Sequence, residues 1–264
     1  MIVVKIGGGN GNSFSNLVRD LPADKEIILV HGGSEEMNDV SAKLGHSPRM
    51  LTSPSGHSSR FTDERTLEIM EMVYSGSINK RLVTMLRKEG HNAIGLSGLD
   101  GGLIRGRRKS SVRYIENGKT RIMRGDNTGK VVSVNESLLR NLMKAGFIPV
   151  ITIPIEDVTD NRPLNADCDR VAAAIAGSMN ASHLVLLTNQ LGLLERPGDT
   201  VSLIREIPAE NIGDYIKYAK DRMKRKVLAA LEAVSEGVGV VSISSSKIEN
   251  PLTNALKGGG TTIC

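Results

Sequence analysis

The chain has no tryptophan, 3% aromatic residues and only two cysteines, Cys168 and Cys264, in 264 residues. Scarce aromatics leave little on which bases could stack, which argues against a nucleic-acid partner read in that way. Two distant cysteines make no disulfide framework, and with five scattered histidines they give no zinc spacing, so no metal ligands are assigned. No apolar run approaches the ~20 residues that a membrane helix needs, which excludes a membrane partner of that kind. The first residues lack the charged head, apolar stretch and small-residue site of a signal peptide. A cytoplasmic protein is therefore expected. Three common catalytic fingerprints are also missing. No Gly-x-x-x-x-Gly-Lys-Ser/Thr occurs; the string Gly125 to Lys130 is one residue short and lacks the hydroxyl. No Gly-x-Gly-x-x-Gly follows a strand, and no Gly-x-Ser-x-Gly nucleophile elbow supports a hydrolase.

What is present is an ordinary globular composition, 39% hydrophobic and 24% charged, on a chain long enough for one large domain or two lobes. Short β-branched runs alternate with helical patterns almost throughout. That alternation predicts an α/β fold, an open, mostly parallel sheet sandwiched between helices. Ligands of such sheets bind beyond the carboxyl ends of strands. The loop-like stretch from Glu156 to Pro163 is read as a boundary between a first lobe, 1–160, and a second, 161–264. Helices are expected over Glu64 to Tyr74 and Ile78 to Lys88, and the breaker-rich stretch Pro48 to Arg60, with Ser53-Pro54-Ser55-Gly56, reads as an exposed loop.

The organising stretch is the first strand, Ile2 to Ile6, which ends at once in Gly7-Gly8-Gly9. Glycines leave no Cβ in the way, so backbone N–H groups can turn toward an anion at close range. Ser13 can cap a helix starting near Phe14. The design repeats at Glu26 to Val30, His31-Gly32-Gly33-Ser34 and the following helix. Two such turns on neighbouring strands set two anion-ready loops side by side. The plain alternative is two tight turns that need glycine for geometry. Lys5 weighs against it, because a charge inside a central strand is costly unless paired. Phosphoryl transfer needs donor and acceptor held in line and positive charge on the moving group. Lys5, Lys226, the glycine N–H groups and helix starts can supply it, and Asp167 can orient a lysine or merely cap a helix. Lys226 lies in Met223-Lys224-Arg225-Lys226, a basic helix opening that opposes the helix dipole and suggests a nearby anion.

Residues 102–124 differ in character. Two alternating runs flank Glu116-Asn117-Gly118, a strong hairpin signal. Between Arg105 and Arg124 stand eight basic residues, with Glu116 the single acid, so the rest of the chain is about neutral. Arginine outnumbers lysine here, and arginine suits bidentate capture of carboxylate or phosphate. Against the plain reading of a solvated edge, the stretch is expected to dock something acidic through Arg105, Arg107, Arg108, Lys109 and Arg113.

Lys5-Ile6-Gly7-Gly8, His31-Gly32-Gly33, Asn165-Ala166-Asp167 and Met223-x-x-Lys226, in this order, resemble the amino acid kinase superfamily over essentially the whole chain. Within it the chain is similar to N-acetylglutamate kinases. It looks closer still to the branch acting on aminoadipate or glutamate carried by LysW, a small acidic carrier protein. The strings that carry this are Ser59-Arg60-Phe61-Thr62-Asp63, Glu71 to Tyr74, Gly95 to Gly101, Gly106 to Lys109, Arg124-Gly125-Asp126 and Glu249-Asn250-Pro251. The resemblance implies an ATP- and Mg²⁺-dependent kinase that makes an acyl phosphate on a side-chain carboxylate in lysine or arginine biosynthesis. It implies that Lys5 and Lys226 stabilise the transition state and that Asp167 organises them. Gly32, Gly33, Ser34 and Asn165 fall among the substrate-binding positions, and Arg60 where an arginine grips the α-carboxylate. Gly7, Gly8, Thr188, Asn189, Gly192 and Met223 fall to the nucleotide. A homodimer through the first lobe is implied as well. The chain departs from the pattern at Ser34, where a third glycine is usual, at Asn189, where an acid is usual, and at Pro163, the place of the substrate asparagine.

Two further functions compete. A free N-acetylglutamate kinase has no need of so much charge on one hairpin. A non-catalytic regulatory or nucleic-acid-binding protein has no need of Lys5, Asp167 and Lys226 together.

Overall fold

In a computed structural model, residues 1–9, 11–54, 56 and 58–264 are described. The chain opens with β1 (Ile2–Ile6), α1 (Phe14–Arg19), β2 (Ile27–His31) and α2 (Ser34–Lys43). A small hairpin, β3 (Met50–Thr52) and β4 (Ser58–Arg60), precedes α3 (Glu64–Met70) and α4 (Asn79–Lys88). Then come β5 (Ala93–Gly98), β6 (Ile104–Arg108), the pair β7 (Val112–Glu116) and β8 (Lys119–Met123), and β9 (Gly129–Val134). After α5 (Glu136–Lys144), β10 (Ile148–Asp157) and β11 (Pro163–Leu164) follow α6 (Cys168–Ser178) and β12 (His183–Thr188). The chain closes with β13 (Glu206–Ile207), α7 (Ile212–Tyr215), α8 (Asp221–Ser235), β14 (Val240–Ser245), α9 (Pro251–Leu256) and β15 (Thr261–Ile263).

The main sheet runs β13-β15-β14-β12-β1-β2-β10-β6-β9, with β5 and β11 also on β10. β1 is central and parallel to both neighbours, so five consecutive strands from β14 to β10 form a parallel core. This is the α/β sandwich expected from the sequence. Strand alternation sorts side chains to two faces. Val3, Ile28 and Val30 join the cluster that packs on α6 and α8. Ile2, Val4 and Ile6 join the cluster with Leu17, Leu82, Leu86 and Leu252 from α1, α4 and α9. Lys5 shares the parity of Val3 and so faces α6; His31 shares that of Leu29 and faces α1 and α4.

Three expectations change. The helices over 64–74 and 78–88 are one helical run, joined by a π-helical stretch over Glu71–Ile78 that carries Ser75-Gly76-Ser77 through without a break. Weak helix formers signal a stop in sequence, but burial of Val73, Tyr74 and Ile78 holds the run together. The loop expected over Pro48 to Arg60 contains the β3–β4 hairpin; Ser55 and His57, assigned to that loop, lie outside the described residues. The basic stretch is not a single hairpin. β7 and β8 pair around Asn117 and Gly118, both at positive φ (50° and 73°), as the Asn-Gly signal requires. β6, which bears Arg105, Arg107 and Arg108, instead belongs to the main sheet between β10 and β9, because Ile104 and Gly106 are buried there.

Candidate active site

The two glycine turns meet. Gly32 N–H donates to the Ile6 carbonyl at 3.1 Å and Glu35 N–H to the Gly8 carbonyl at 3.2 Å. A Cβ on Gly8 would sit 2.1 Å from Gly33 N, so only glycine allows this approach. Ser13 caps α1 by accepting from Asn16 N–H, as its position predicts. α2 begins at Ser34 with Gly33 as its N-cap, and a helix start directs orphan N–H groups outward.

Beside these turns lies a buried charge cluster. Lys5 Nζ is 2.6 Å from Asp169 Oδ1, and Lys226 Nζ is 2.9 Å from Asp169 Oδ2. All three side chains are 7% exposed. Burial would push the Asp169 carboxyl up, yet the two ammoniums outweigh it and hold the carboxyl well below its usual range. Burial would push Lys5 down, but Asp169 holds it above its ordinary value. Lys226 goes the other way: burial lowers it, and the neighbouring Lys5 charge adds to that. One carboxylate against two ammoniums leaves a net positive charge at the ends of β1 and α6. Buried net charge is costly and is expected where an anion will sit.

Asp167, expected to organise the two lysines, stands beside this cluster and acts on both through its charge. The carboxylate bonded to both lysines is Asp169, two residues on. Asp167 caps α6, accepting from Asp169 N–H at 2.9 Å and Arg170 N–H at 3.3 Å. Its charge still reaches both lysines, and its second oxygen lies 3.7 Å from Arg225 Nη1. A cap position aims its side chain back at the helix start, whereas Asp169, the second residue of α6, reaches Lys5 on β1. Asp169 occupies the helix's first turn, where nothing in the sequence distinguishes it from a dipole-favouring acid. The anion suggested by the basic opening of α8 is thus in part the chain's own pair, Asp167 and Asp169.

A cavity of about 1090 Å³ surrounds the cluster. Lys5, Gly7, Gly8, Gly32, Gly33, Ser34, Arg60, Asn165, Asp167, Thr188, Asn189, Gly192, Met223 and Lys226 all line it, together with the unforeseen Asn38, Tyr74 and Asp169. At one end Arg60 spans Ser34 O (3.4 Å), Met37 Sδ (3.4 Å) and Asn38 Oδ1, while its buried Nε has no partner. The Tyr74 hydroxyl faces Arg60 and the Gly33 N–H, and burial pushes it up to about 12. Asn165, offered in place of the asparagine missing at Pro163, donates from Nδ2 to Thr62 Oγ1 at 2.9 Å. Thr62 N–H in turn donates to the buried Asp126 at 2.8 Å. Leu193, Leu194, Tyr218 and Lys220 line the cavity too, along with Met223 and Gly192.

The basic residues divide. Lys109 lines the cavity. Arg105, Arg107, Arg108 and Arg113 do not. Arg105 is engaged by Glu156 at 2.8 Å and Asn161 at 2.9 Å, and Arg108 donates to Asp126 O at 3.2 Å. Arg107 and Arg113 are exposed. Among the described residues no group of three or more His, Cys, Asp or Glu is placed to hold a metal ion. No helix among them is long and apolar enough to cross a membrane.

The amino acid kinase family model matches residues 1–245. The chain is 51% identical over 269 residues to the [LysW]-aminoadipate kinase of Thermus thermophilus, each covered completely. It is 39% identical over 266 residues to the [LysW]-aminoadipate/[LysW]-glutamate kinase of Saccharolobus solfataricus, covering 100% of this chain and 99% of that one. Among solved structures, the N-acetylglutamate synthase from Neisseria gonorrhoeae aligns with TM-score 0.79 at 23% identity, over 100% of this chain and 59% of its own. Carbamate kinase from Giardia lamblia aligns with TM-score 0.68 at 15% identity, over 99% and 97%. At such identities these two speak for the fold alone. The match of the family model along nearly the whole sequence establishes that the chain belongs to the amino acid kinase family.

Proposed function

We propose that the chain transfers a phosphoryl group from ATP to the side-chain carboxylate of aminoadipate, glutamate or both, carried on an acidic LysW-type protein. The product is an acyl phosphate for lysine and arginine biosynthesis. One observation carries the chemistry: the net-positive Lys5–Asp169–Lys226 cluster borders a large cavity beside two facing glycine turns. The nature of the acceptor is supported by the names of the relatives at 51% and 39% identity.

In this reading Lys5 and Lys226 meet the charge that spreads over the moving phosphoryl oxygens. Asp169 keeps both ammoniums charged and in place, and Asp167 adds longer-range support. The Gly8 and Gly33 backbone and the start of α2 offer N–H donors. Arg60, with its unpartnered Nε, grips the acceptor's α-carboxylate between Ser34 and Asn165. Thr188, Asn189, Gly192 and Met223 take the nucleotide, with Gly7 and Gly8 at its phosphates. Mg²⁺ is read as arriving with ATP, since magnesium in such sites is held largely by substrate phosphates and the described residues form no cage for it. Residues 1–160 serve the acceptor and a homodimer contact, and residues 161–264 the nucleotide. A cytoplasmic location fits this biosynthetic role. Arg107, Arg113 and Lys109 steer the carrier; Arg105 and Arg108 are partly committed within the chain.

The reaction class is tested by incubating the protein with ATP, Mg²⁺ and carrier-linked aminoadipate in hydroxylamine. An acyl phosphate is trapped as the carrier-linked hydroxamate, read by intact mass. ATP consumption without hydroxamate would reject the carboxylate as acceptor.

A further inference from the structure

His31 ends β2 with its ring fully buried, on the sheet face away from the charge cluster. Its Nε2 lies 3.1 Å from Nδ2 of Asn79, the first residue of α4, which is also fully buried. Its Nδ1 lies 3.2 Å from the Gly32 carbonyl. The partners of Asn79 decide where the protons are. Asn79 Nδ2 sits 2.9 Å from the Val150 carbonyl, which can only accept. Asn79 Oδ1 sits 3.3 Å from the Lys80 ammonium, which can only donate. The amide therefore presents its second N–H to His31 Nε2. That nitrogen must accept, so the ring carries its proton on Nδ1 and donates it to the Gly32 carbonyl.

The Gly32 carbonyl and the Gly33 N–H belong to one planar trans peptide and point in opposite directions. Holding the carbonyl toward the ring turns the Gly33 N–H away from it, to the cavity wall where the Tyr74 hydroxyl stands. The chain end of β2 is fixed a second time by Thr152 Oγ1, which donates to the His31 carbonyl at 3.1 Å. Gly95 leaves room for the arrangement, since a Cβ there would lie 1.9 Å from Asn79 Oδ1. The charged groups that act on the ring are Lys5 on β1 and Lys80 and Arg81 on α4, all cations, while Phe14 of α1 meets it edge-on. No carboxylate among them favours a charged imidazole.

We propose that His31 and Asn79 are positioning residues: Asn79 selects the Nδ1–H tautomer of His31, and His31 holds the Gly32–Gly33 peptide, with its N–H toward the Tyr74 hydroxyl, and so fixes the shape of the glycine turn that lines the phosphoryl site. The inference rests on the kinase reading above, and its test separates the two. On the full chain with ¹⁵N-labelled histidine, the Nδ1–H neutral tautomer is expected for His31 between about pH 5 and pH 8. An Nε2–H tautomer, or a charged ring in that range, overturns the proposal without reference to any activity. The second arm is Asn79→Asp, compared with wild type on carrier-linked aminoadipate. A carboxylate there can only accept, so the neutral ring moves its proton to Nε2 and leaves a lone pair against the Gly32 carbonyl. Protonation restores both N–H groups. The variant's kcat is expected to fall about tenfold above pH 8 and to recover as pH drops toward 6, with both KM values within about twofold. A kcat–pH profile parallel to that of wild type, at any level, overturns the positioning role. If wild type phosphorylates no carrier-linked or N-acetylated acceptor, the kinase reading fails, and the tautomer still decides whether Asn79 and His31 set the peptide.

Discussion

Lys5 Nζ on the central strand lies 2.6 Å from Asp169 Oδ1 in the first turn of α6, and both side chains are buried. This contact couples the fold to the site. The strand cannot hold a buried ammonium without the carboxylate, and the carboxylate cannot stay ionised without the lysines. Removing one member of such a group leaves an unpaired buried charge, typically at a cost of ~3–5 kcal/mol. Asp169→Asn is expected to lower stability on that scale and to abolish measurable turnover, as read by urea denaturation and initial rates. Unchanged stability would mean that the lysines find another partner.

Lys5→Ala and Lys226→Ala are expected to lower kcat by ~10²–10³-fold while KM changes little, because both ammoniums act on charge that develops in the transition state. Steady-state kinetics on each variant checks this lysine by lysine. A variant that keeps near-wild-type kcat loses its catalytic assignment.

Asp167→Asn separates capping from electrostatics. Asparagine caps a helix about as well as aspartate, so stability should hold to within ~0.5 kcal/mol while activity falls. Parallel losses of stability and activity would reduce Asp167 to a cap.

His31 supplies a pH signature. Burial, aided by Lys5, lowers its pKa from 6.5 to about 4. Between those values the unfolded chain binds a proton that the folded chain does not. Stability is therefore full above about pH 6.5 and is lost as pH falls toward 4, by about 3 kcal/mol for a shift of this size. His31→Gln should flatten that part of the stability–pH curve relative to wild type, measured by denaturant midpoints across the interval. An unchanged slope would mean that His31 titrates normally in the folded state.

Most of the fold was legible because the strands are short, β-branched and set off by glycine turns. Lys5, Lys226 and the two turns stood out as local departures from pattern: a charge in a strand, basic residues at a helix start, glycines at strand ends; Arg60 was marked only by the family resemblance. Asp169 was not legible. One acid in a first helical turn looks like any other, and only the parity that turns Lys5 toward α6 singles it out. The π-helical stretch and the sheet position of β6 were hidden for the same reason: tertiary burial of Tyr74, Ile104 and Gly106 overrides what Ser75-Gly76-Ser77 and the arginine run signal locally.

The basic surface gives a salt-dependent prediction. Arg107 and Arg113 are exposed and outside the cavity, so Arg107→Glu with Arg113→Glu should raise KM for the carrier-linked acceptor and leave kcat nearly unchanged. The difference should shrink with added salt, since exposed charges are screened over ~10 Å at 0.1 M. Equal losses on carrier-linked and carrier-free acceptors would return these arginines to a solvated edge.

The central claim, a carboxylate kinase with a carried acceptor, is tested most directly by kcat/KM measured side by side for carrier-linked aminoadipate, carrier-linked glutamate and free N-acetylglutamate. The account predicts that at least one carrier-linked acceptor exceeds N-acetylglutamate by ~10²-fold or more, the discrimination that a second, charged contact surface can supply. Equal or higher kcat/KM for free N-acetylglutamate would contradict it.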